Sequence, residues 1–256
     1  MTVRVPAKVN LQLSVGRPRP DGYHELLSVF MAVGLCDEVY ATDGRGVSST
    51  AEGEGSGALP GDDRNLAVRA ARLLAARTGT VRGARLHLTK NIPVAGGMAG
   101  GSADAAAALL ACNSLWDTRL GKADLLAPSV LPPHLLGGGI RPDAALLRAL
   151  RDNDVASLAA ALGASLDDGR SDVNDLEAAA LSLRPALADT LRTGRRAGAC
   201  AAFVSGSGPT CVFLAKDARV AEHIKAQLEK SGTCRTAAIT VGPVPGATVQ
   251  NGKGRL

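Results

Sequence analysis

A glycine-rich stretch between an alternating apolar segment and an alanine-rich segment constrains the fold most. In ARLHLTK (84–90) leucines alternate with polar residues, which predicts a strand, because successive side chains on a strand face opposite sides. The alanine and leucine run over 102–116 predicts a helix, with Ser102 as its N-cap and Asp104 in its first turn. The predicted unit is therefore a strand, a glycine loop over 91–101, and a helix.

Such a loop is typical of a site for an anion. Its backbone N–H groups can turn inward, and the start of the helix adds unpaired donors and the positive end of the helix dipole. The alternative is a flexible turn before an alanine-rich helix. A Walker loop is excluded because no lysine stands between Gly101 and Ser102, and the adjacent pair Gly96 and Gly97 does not fit the dinucleotide pattern.

Size and charge restrict the partners. A chain of 256 residues is long enough for two domains, and with 2% aromatic residues its core must be built from Ala, Val and Leu. The net charge of +5 favours polyanionic partners, among them nucleic acid and phosphorylated small molecules. The basic residues are scattered and few aromatic rings are available for stacking on bases, so nucleic acid is the weaker interpretation.

Cysteine usage indicates a reducing compartment. The five cysteines are an odd number without a C-x-x-C pair, which is typical of free thiols. The N-terminal MTVRVPAKVN lacks the apolar core of a signal peptide, and no apolar run has the length of a membrane span. We therefore expect a cytoplasmic protein with no membrane partner.

Five segments, in order along the chain, resemble those of the GHMP kinases. PVAGGMAGGSADA is similar to their central ATP-binding motif, with Met98 in place of the usual leucine. SGSGPT (205–210) resembles their third motif, a glycine loop that packs close to the phosphate loop, although a strand-joining turn is the alternative. The other three are PAKVNLQLSVGRPRPDGYHELLSVF, DRNLAVRAARLL and NDLEAAALSLRPAL, of which the first resembles the member that acts on a cytidine-diphosphate-linked sugar alcohol.

The resemblance implies transfer of the γ-phosphoryl group of ATP to a hydroxyl of that sugar alcohol, with Mg²⁺ as cofactor. It identifies Lys8 as the catalytic lysine and Asn10 as support for the acceptor alcohol. Tyr23 and His24 match positions that hold the cytidine, by stacking and by hydrogen bonding to the base. Without the resemblance, Lys8 would be a solvated surface charge and the Tyr-His pair half-buried packing.

The resemblance also implies a nucleotide site. Asn65 and Lys90 match positions on the adenine side, although Lys90 could instead be a solvated strand end. Ser102 is placed to approach Mg²⁺ or a phosphate oxygen, and the alternative role is the helix cap alone. The implied nucleotide-binding residues are Asn65, Lys90, Pro93, Val94, Ala95, Gly96, Gly97, Met98, Ala99, Gly100, Gly101, Ser102 and Ala103.

One family segment is missing. After NSLW (113–116), GHMP kinases of this type carry a second helix and a segment like L-G-A-D-V-P-F, whose aspartate takes the hydroxyl proton; here DTRLGKADLLAPS follows and leads directly into VLPPHLLGGGIRP. The role is transferred neither to Asp117 nor to Asp124, and Asp143 lies beyond the gap. A true deletion, a shortened version of the sequence and a substitute base all remain open. Loss of a general base predicts nucleotide binding with slow turnover.

The predicted architecture is an α+β two-domain GHMP kinase. Residues 1–128 would form a ribosomal-protein-S5-like domain with the phosphate loop, 129–140 a Pro/Gly-rich junction, and 141–256 a ferredoxin-like domain. The second domain is predicted in the order helix, helix, strand, SGSGPT loop, strand, helix, strand. Its helix over DARVAEHIKAQLEKSG should bury Val220, Ile224 and Leu228 and end at Gly232.

Other functions compete with the small-molecule kinase. A nucleotide-binding pseudokinase would keep the loop without the base, and an RNA-binding module would use the S5-like half, with affinity that falls steeply with salt. A homoserine or mevalonate kinase is the nearest enzymatic rival, and PDGYHELLSVF argues against it. We expect no nucleic-acid partner, and the chain as a monomer or a homodimer.

Overall fold

The computed structural model describes residues 1–126, 144–152, 154–163 and 174–250. The predicted junction 129–140, the domain limit at 128 and Asp143 lie outside these ranges. The described strands are β1 (Thr2–Pro18), β2 (His24–Gly44), β3 (Val47–Gly53), β4 (Gly83–Lys90), β5 (Ala201–Val204), β6 (Cys211–Leu214) and β7 (Thr248–Gln250). The described α-helices are α1 (Leu66–Thr78), α2 (Gly100–Leu115), α3 (Lys122–Leu126), α4 (Ala144–Asp152), α5 (Val155–Gly163), α6 (Glu177–Leu183), α7 (Ala186–Arg196) and α8 (Ala218–Ser231), with a 3₁₀ turn at Ser56–Ala58.

The chain divides into two compact units that interleave along the sequence. The first holds the described residues 1–8, 32–126 and 241–250, and the second holds 9–31 together with the described residues between 144 and 240. Strands β1 and β2 therefore contribute residues to both units.

The first unit is a layer of two helices on a sheet. The strand order is β3-β4-β2-β1-β7, in which β3 runs parallel to β4 while the β2/β4 and β1/β7 pairs are antiparallel. Helices α1 and α2 bury alanines such as Ala71 and Ala108 against Val39 and Leu88 of the sheet. This confirms a core of small aliphatic residues. Trp116 closes one end of this core, where its indole N–H donates to the Gly83 carbonyl at 3.1 Å.

The second unit contains the antiparallel hairpin of β5 and β6 with helices packed on it. One apolar cluster joins α6, α7 and β5 through Ala180, Leu191 and Val204. A second apolar cluster is centred on Ile224 and Leu228 of α8.

Helix α8 confirms the predicted apolar face: Ile224 and Leu228 are buried, and Val220 is partly buried and packs against them. The Asp217 side chain caps it by accepting from the Val220 N–H at 2.8 Å, and Gly232 ends it in the left-handed conformation with φ of 65°. The predicted last strand differs. Strand β7 pairs with Thr2–Arg4 of β1 in the first unit instead of extending the β5/β6 hairpin.

No helix within the described ranges has both the length and the apolar character needed to span a membrane.

Candidate active site

The predicted strand, glycine loop and helix are present as β4, residues 91–99 and α2. Two alanines of the loop, Ala95 and Ala99, have φ of 58°, and Gly97 has φ of 80°. An L-residue in this left-handed region is strained, and such strain persists mostly where surrounding structure enforces it at functional sites. The loop therefore contains the kind of left-handed backbone that is common at functional sites.

Helix α2 begins three residues earlier than predicted, counted from its N-cap. Its N-cap is Ala99, and no side chain in the described ranges caps it. The predictions that Ser102 is the N-cap and that Asp104 lies in the first turn are therefore wrong, because the left-handed Ala99 starts the helix. An uncapped helix start leaves its first N–H groups for a ligand, and the helix dipole favours an anion there.

The loop and the start of α2 line a partly open cavity of about 330 Å³. Its lining residues are Leu59, Leu66, Lys90, Pro93, Val94, Ala95, Gly96, Gly97, Met98, Ala99, Gly100, Gly101, Ser102 and Asp104. The structure thus brings the predicted nucleotide-binding residues from Pro93 to Ser102 together around one space. Ala103 instead packs against the hydrophobic core.

Lys8 is tied to this loop through its backbone. Its N–H donates to the Met98 carbonyl at 3.2 Å, which fixes β1 beside the loop. The side chain is half-buried rather than fully solvated, and this desolvation lowers the pKa of the Lys8 ammonium. A cation in this position is less screened than a surface lysine.

Lys90 belongs to a buried cluster of three charges. It is only 2% exposed, so its interpretation as a solvated strand end is wrong. Its ammonium donates to Asp104 Oδ2 at 2.6 Å and to Asp37 Oδ2. Burial raises the pKa of Asp104 to about 6, although the Lys90 ammonium opposes the shift. Asp104 Oδ1 has no hydrogen-bond partner among the described residues.

Sequence reasoning missed this cluster. Asp37 stands in GLCDEVY, where the neighbouring apolar residues are consistent with a buried position, and Asp104 was assigned to the helix start alone. A buried carboxylate needs a partner, and Lys90 was the nearest candidate along the chain for Asp104.

Asn65 acts as the N-cap of α1. Its Oδ1 accepts from the Ala67 N–H at 2.9 Å, and its Nδ2 donates to the Pro60 carbonyl at 3.1 Å. The next residue, Leu66, lines the cavity. Both polar groups of the Asn65 side chain thus form hydrogen bonds within the protein. The contact of Asn65 with adenine stays a prediction.

In the second unit, Tyr23 follows a turn, and His24 is the first residue of β2. Tyr23 is 72% exposed and His24 is exposed as well, so they are not half-buried packing. His24 Nδ1 lies 2.9 Å from the Gly16 carbonyl. Because only a protonated Nδ1 can donate to that oxygen, the neutral ring presents Nε2 as an acceptor. Asn10 is buried, and its N–H donates to Ser205 Oγ at 3.0 Å.

SGSGPT joins β5 to β6, as the strand-joining alternative predicted. Two residues of the NDLE segment hold this loop: Asn174 Nδ2 donates to the carbonyls of Val204 and Gly206 at 2.7 and 2.8 Å, and Glu177 Oε2 accepts from the Val204 N–H at 2.7 Å. Burial raises the pKa of Glu177. The sequence showed NDLE as a family segment and gave no sign of this supporting role.

Both halves of the chain match models of one protein family. Residues 65–130 match the GHMP kinases N-terminal domain and residues 146–234 match the GHMP kinases C-terminal domain. The structure of homoserine kinase from Cytophaga hutchinsonii is similar at a TM-score of 0.63 and 18% identity, covering 91% of this chain and 90% of that one. The two family models and the fold define the class as that of the GHMP kinases, with the α+β architecture predicted from the sequence.

Relatives with higher sequence identity identify the family within the GHMP kinases. A 4-diphosphocytidyl-2-C-methyl-D-erythritol kinase of Streptomyces avermitilis is 45% identical over 304 positions, covering 97% of this chain and 99% of the relative. The Mycobacterium tuberculosis protein of the same name is 43% identical, covering 97% and 92%. A solved 4-(cytidine 5'-diphospho)-2C-methyl-D-erythritol kinase matches with a TM-score of 0.63 at 30% identity, covering 90% and 96%. The chain belongs to the 4-diphosphocytidyl-2-C-methyl-D-erythritol kinase family.

The alignment with the Streptomyces relative also shows that this chain lacks internal residues that the relative has. Because 97% of 256 residues is about 248, an alignment over 304 positions leaves about 56 positions of the Streptomyces relative without a counterpart here. A total of this size is consistent with the missing segment that the sequence predicted.

Proposed function

We propose that this chain transfers the γ-phosphoryl group of ATP to the 2-hydroxyl of 4-diphosphocytidyl-2-C-methyl-D-erythritol, a step of the non-mevalonate route to isoprenoid precursors. The observation that carries the proposal is the cavity formed by the strained loop and the uncapped start of α2, with Lys8 tied to the loop at Met98. The relatives, 45% and 43% identical over nearly the whole chain, supply the substrate.

In this proposal, backbone N–H groups bind the triphosphate. The loop and the first turn of α2 present N–H donors, and the helix dipole adds positive potential. Phosphoryl transfer needs mainly positioning and neutralisation of charge, which fixed donors and a lysine provide. Lys8 neutralises the migrating phosphoryl group, and its half-buried position strengthens that interaction.

The site fits a magnesium ion that arrives with ATP. Magnesium keeps several waters and needs only one or two protein oxygens besides phosphate oxygens. The Ser102 hydroxyl is exposed and lines the cavity, and it is the group we assign to the ion. The described residues contain no cluster of three or more His, Cys, Asp or Glu that could hold a metal by themselves. When bound, the ion neutralises charge on the phosphates.

The cytidine-containing substrate is assigned to residues of the second unit. Tyr23 offers an exposed ring for stacking on the base, and His24 offers Nε2 as an acceptor for the cytosine amine. Asn10 supports the acceptor alcohol. The cytoplasm is the compartment we propose, in agreement with five free cysteines.

The general base remains unassigned, and two nearby aspartates are poor candidates. Arg119 pairs with Asp117 and lowers its pKa, which weakens it as a base, and both side chains are exposed. Asp124 accepts from the Gly121 N–H at 3.2 Å and caps α3. Asp143 lies outside the described residues. We therefore expect turnover below that of relatives that carry the aspartate, by a factor of roughly a hundred to ten thousand.

A substrate panel tests the proposal. The purified chain is incubated with magnesium-ATP and, in turn, the cytidine-diphosphate sugar alcohol, homoserine and mevalonate. We expect phosphorylation of the first compound alone. Phosphorylation of homoserine or mevalonate would contradict the assignment, and a folded chain that binds ATP without phosphorylating any compound would be the pseudokinase.

A further inference from the structure

The Asp37 side chain accepts backbone hydrogen bonds just beyond the end of the β2/β4 ladder. The register runs to Glu38 opposite Thr89, and beyond Lys90 the chain turns out of the sheet into the loop. The N–H groups of Asn91 and Ile92 therefore lie beyond the β2/β4 ladder. Asp37 Oδ1 accepts from both, at 2.6 and 2.8 Å, and the side chain is 0% exposed.

The second oxygen of Asp37 is linked to α2, which follows the loop, through the side chain of Lys90. Asp37 Oδ2 accepts from the Lys90 ammonium, which also donates to Asp104 Oδ2 on α2 at 2.6 Å. Gly100, the first residue of α2, packs on the same ammonium, since a Cβ there would lie 3.4 Å from Lys90 Nζ. One carboxylate thus holds the entry of the loop directly and the start of α2 through Lys90.

We propose that Asp37 is a positioning residue for the nucleotide, which fixes the phosphate loop so that its N–H groups face the cavity. Lys90 and Asp104 line the cavity whereas Asp37 stands behind them, so it acts through the loop and not by contact with ATP. Donors that are fixed before binding cost no reorganisation when the anion arrives. The inference rests on the proposed function, because it assigns the cavity to ATP.

Asp37→Asn tests the inference. The amide keeps the shape and one accepting oxygen, but its nitrogen faces the Lys90 ammonium, so a donor opposes a donor. We expect the Kd for magnesium-ATP to rise roughly tenfold, as the loss of one charge-assisted hydrogen bond implies. The KM for ATP rises with it, and the KM for the cytidine substrate is unchanged. Asp43→Asn is the matched control, since Asp43 lies on the same strand in an exposed pair with Arg82.

A second variant keeps the test decisive if Asp37→Asn fails to fold. Asn91 is exposed, and its Nδ2 donates to the Cys36 carbonyl at 2.8 Å, which is a second tie between the loop entry and β2. Asn91→Ala removes that tie at the surface, and we expect the Kd for magnesium-ATP to rise roughly threefold.

The outcomes separate the two claims. Unchanged ATP affinity in a folded Asp37→Asn variant, or in Asn91→Ala if the first does not fold, overturns the positioning role. An equal rise in the KM for both substrates also overturns it, because general loosening would do the same. A wild-type chain that does not bind magnesium-ATP contradicts the proposed function itself and with it the inference.

Discussion

At the scale of the residue, the burial of Lys90 decides which groups supply positive charge to the cavity. An ammonium that is 2% exposed between two carboxylates is neutralised within the protein, so it adds little charge to the cavity. Within the described part of the chain, one oxygen of Asp104 has no hydrogen-bond partner, and burial raises the pKa of this carboxyl. The positive potential for a triphosphate must therefore come from the backbone donors, from Lys8 and from the helix dipole.

Asp104 predicts a pH dependence of stability. The carboxyl titrates at 3.8 when unperturbed and at about 6 in the folded protein. As pH rises from 4 to 6 the unfolded chain loses this proton before the folded chain does, so stability falls over this window and is level above it. Asp104→Asn cannot titrate. The free energy of unfolding of the wild type relative to this variant, measured by urea at several pH values, should fall between pH 4 and 6. A difference independent of pH would contradict the assignment.

At the scale of the element, glycines allow the close approach of β3 to the end of β4. Gly53 has φ of 89°, and a Cβ there would overlap the Lys90 carbonyl oxygen, to which Glu54 N–H also donates at 2.8 Å. Gly46 lies in the turn between β2 and β3, and a Cβ at this position would meet no atom within 4 Å.

Gly53→Ala should therefore lower the free energy of unfolding by roughly 2 kcal/mol or more, because strain and overlap add. Gly46→Ala is the matched control and should change it by less than about 0.5 kcal/mol. Equilibrium denaturation of both variants measures the difference. Equal effects of the two substitutions would show that the Lys90 carbonyl does not confine position 53.

The loop between β5 and β6 gives a second prediction for an element. Asn174→Ala leaves the carbonyls of Val204 and Gly206 without their donor and should cost about 1–3 kcal/mol. Glu177→Gln keeps an acceptor for the Val204 N–H and removes a carboxyl whose pKa burial raises, so it should cost less. Thermal unfolding of both variants measures the two losses of stability. A larger loss in Glu177→Gln than in Asn174→Ala would contradict the supporting role of Asn174.

At the scale of the whole molecule, the sequence predicted the class and the strand, loop and helix of the site. These depend on local patterns and motifs, such as the alternation in β4 and the glycines after it. The start of α2 was misplaced because Ala99 adopts a left-handed conformation that its residue type disfavours. The pairing of Asp37 with Lys90 and the place of β7 could not be predicted, because both depend on pairing between distant parts of the chain.

The missing segment also predicts behaviour of the whole chain. Grafting the unmatched segment of the Streptomyces avermitilis relative after NSLW should raise kcat by roughly a hundredfold or more, since a positioned general base contributes that much. The Kd for magnesium-ATP should not change, because the cavity lies within residues already present. Steady-state kinetics of the chimaera measures this. An unchanged kcat would show that the chain already contains its base.

The central claim is that this chain itself transfers phosphate with the help of Lys8. The most direct measurement is ³¹P NMR of the cytidine-diphosphate sugar alcohol incubated with magnesium-ATP and either the wild-type chain or Lys8→Ala. We predict a new phosphomonoester signal with the wild type and none with the variant, while both bind ATP. No such signal from a folded wild-type chain, or equal signals from the two proteins, would contradict the account.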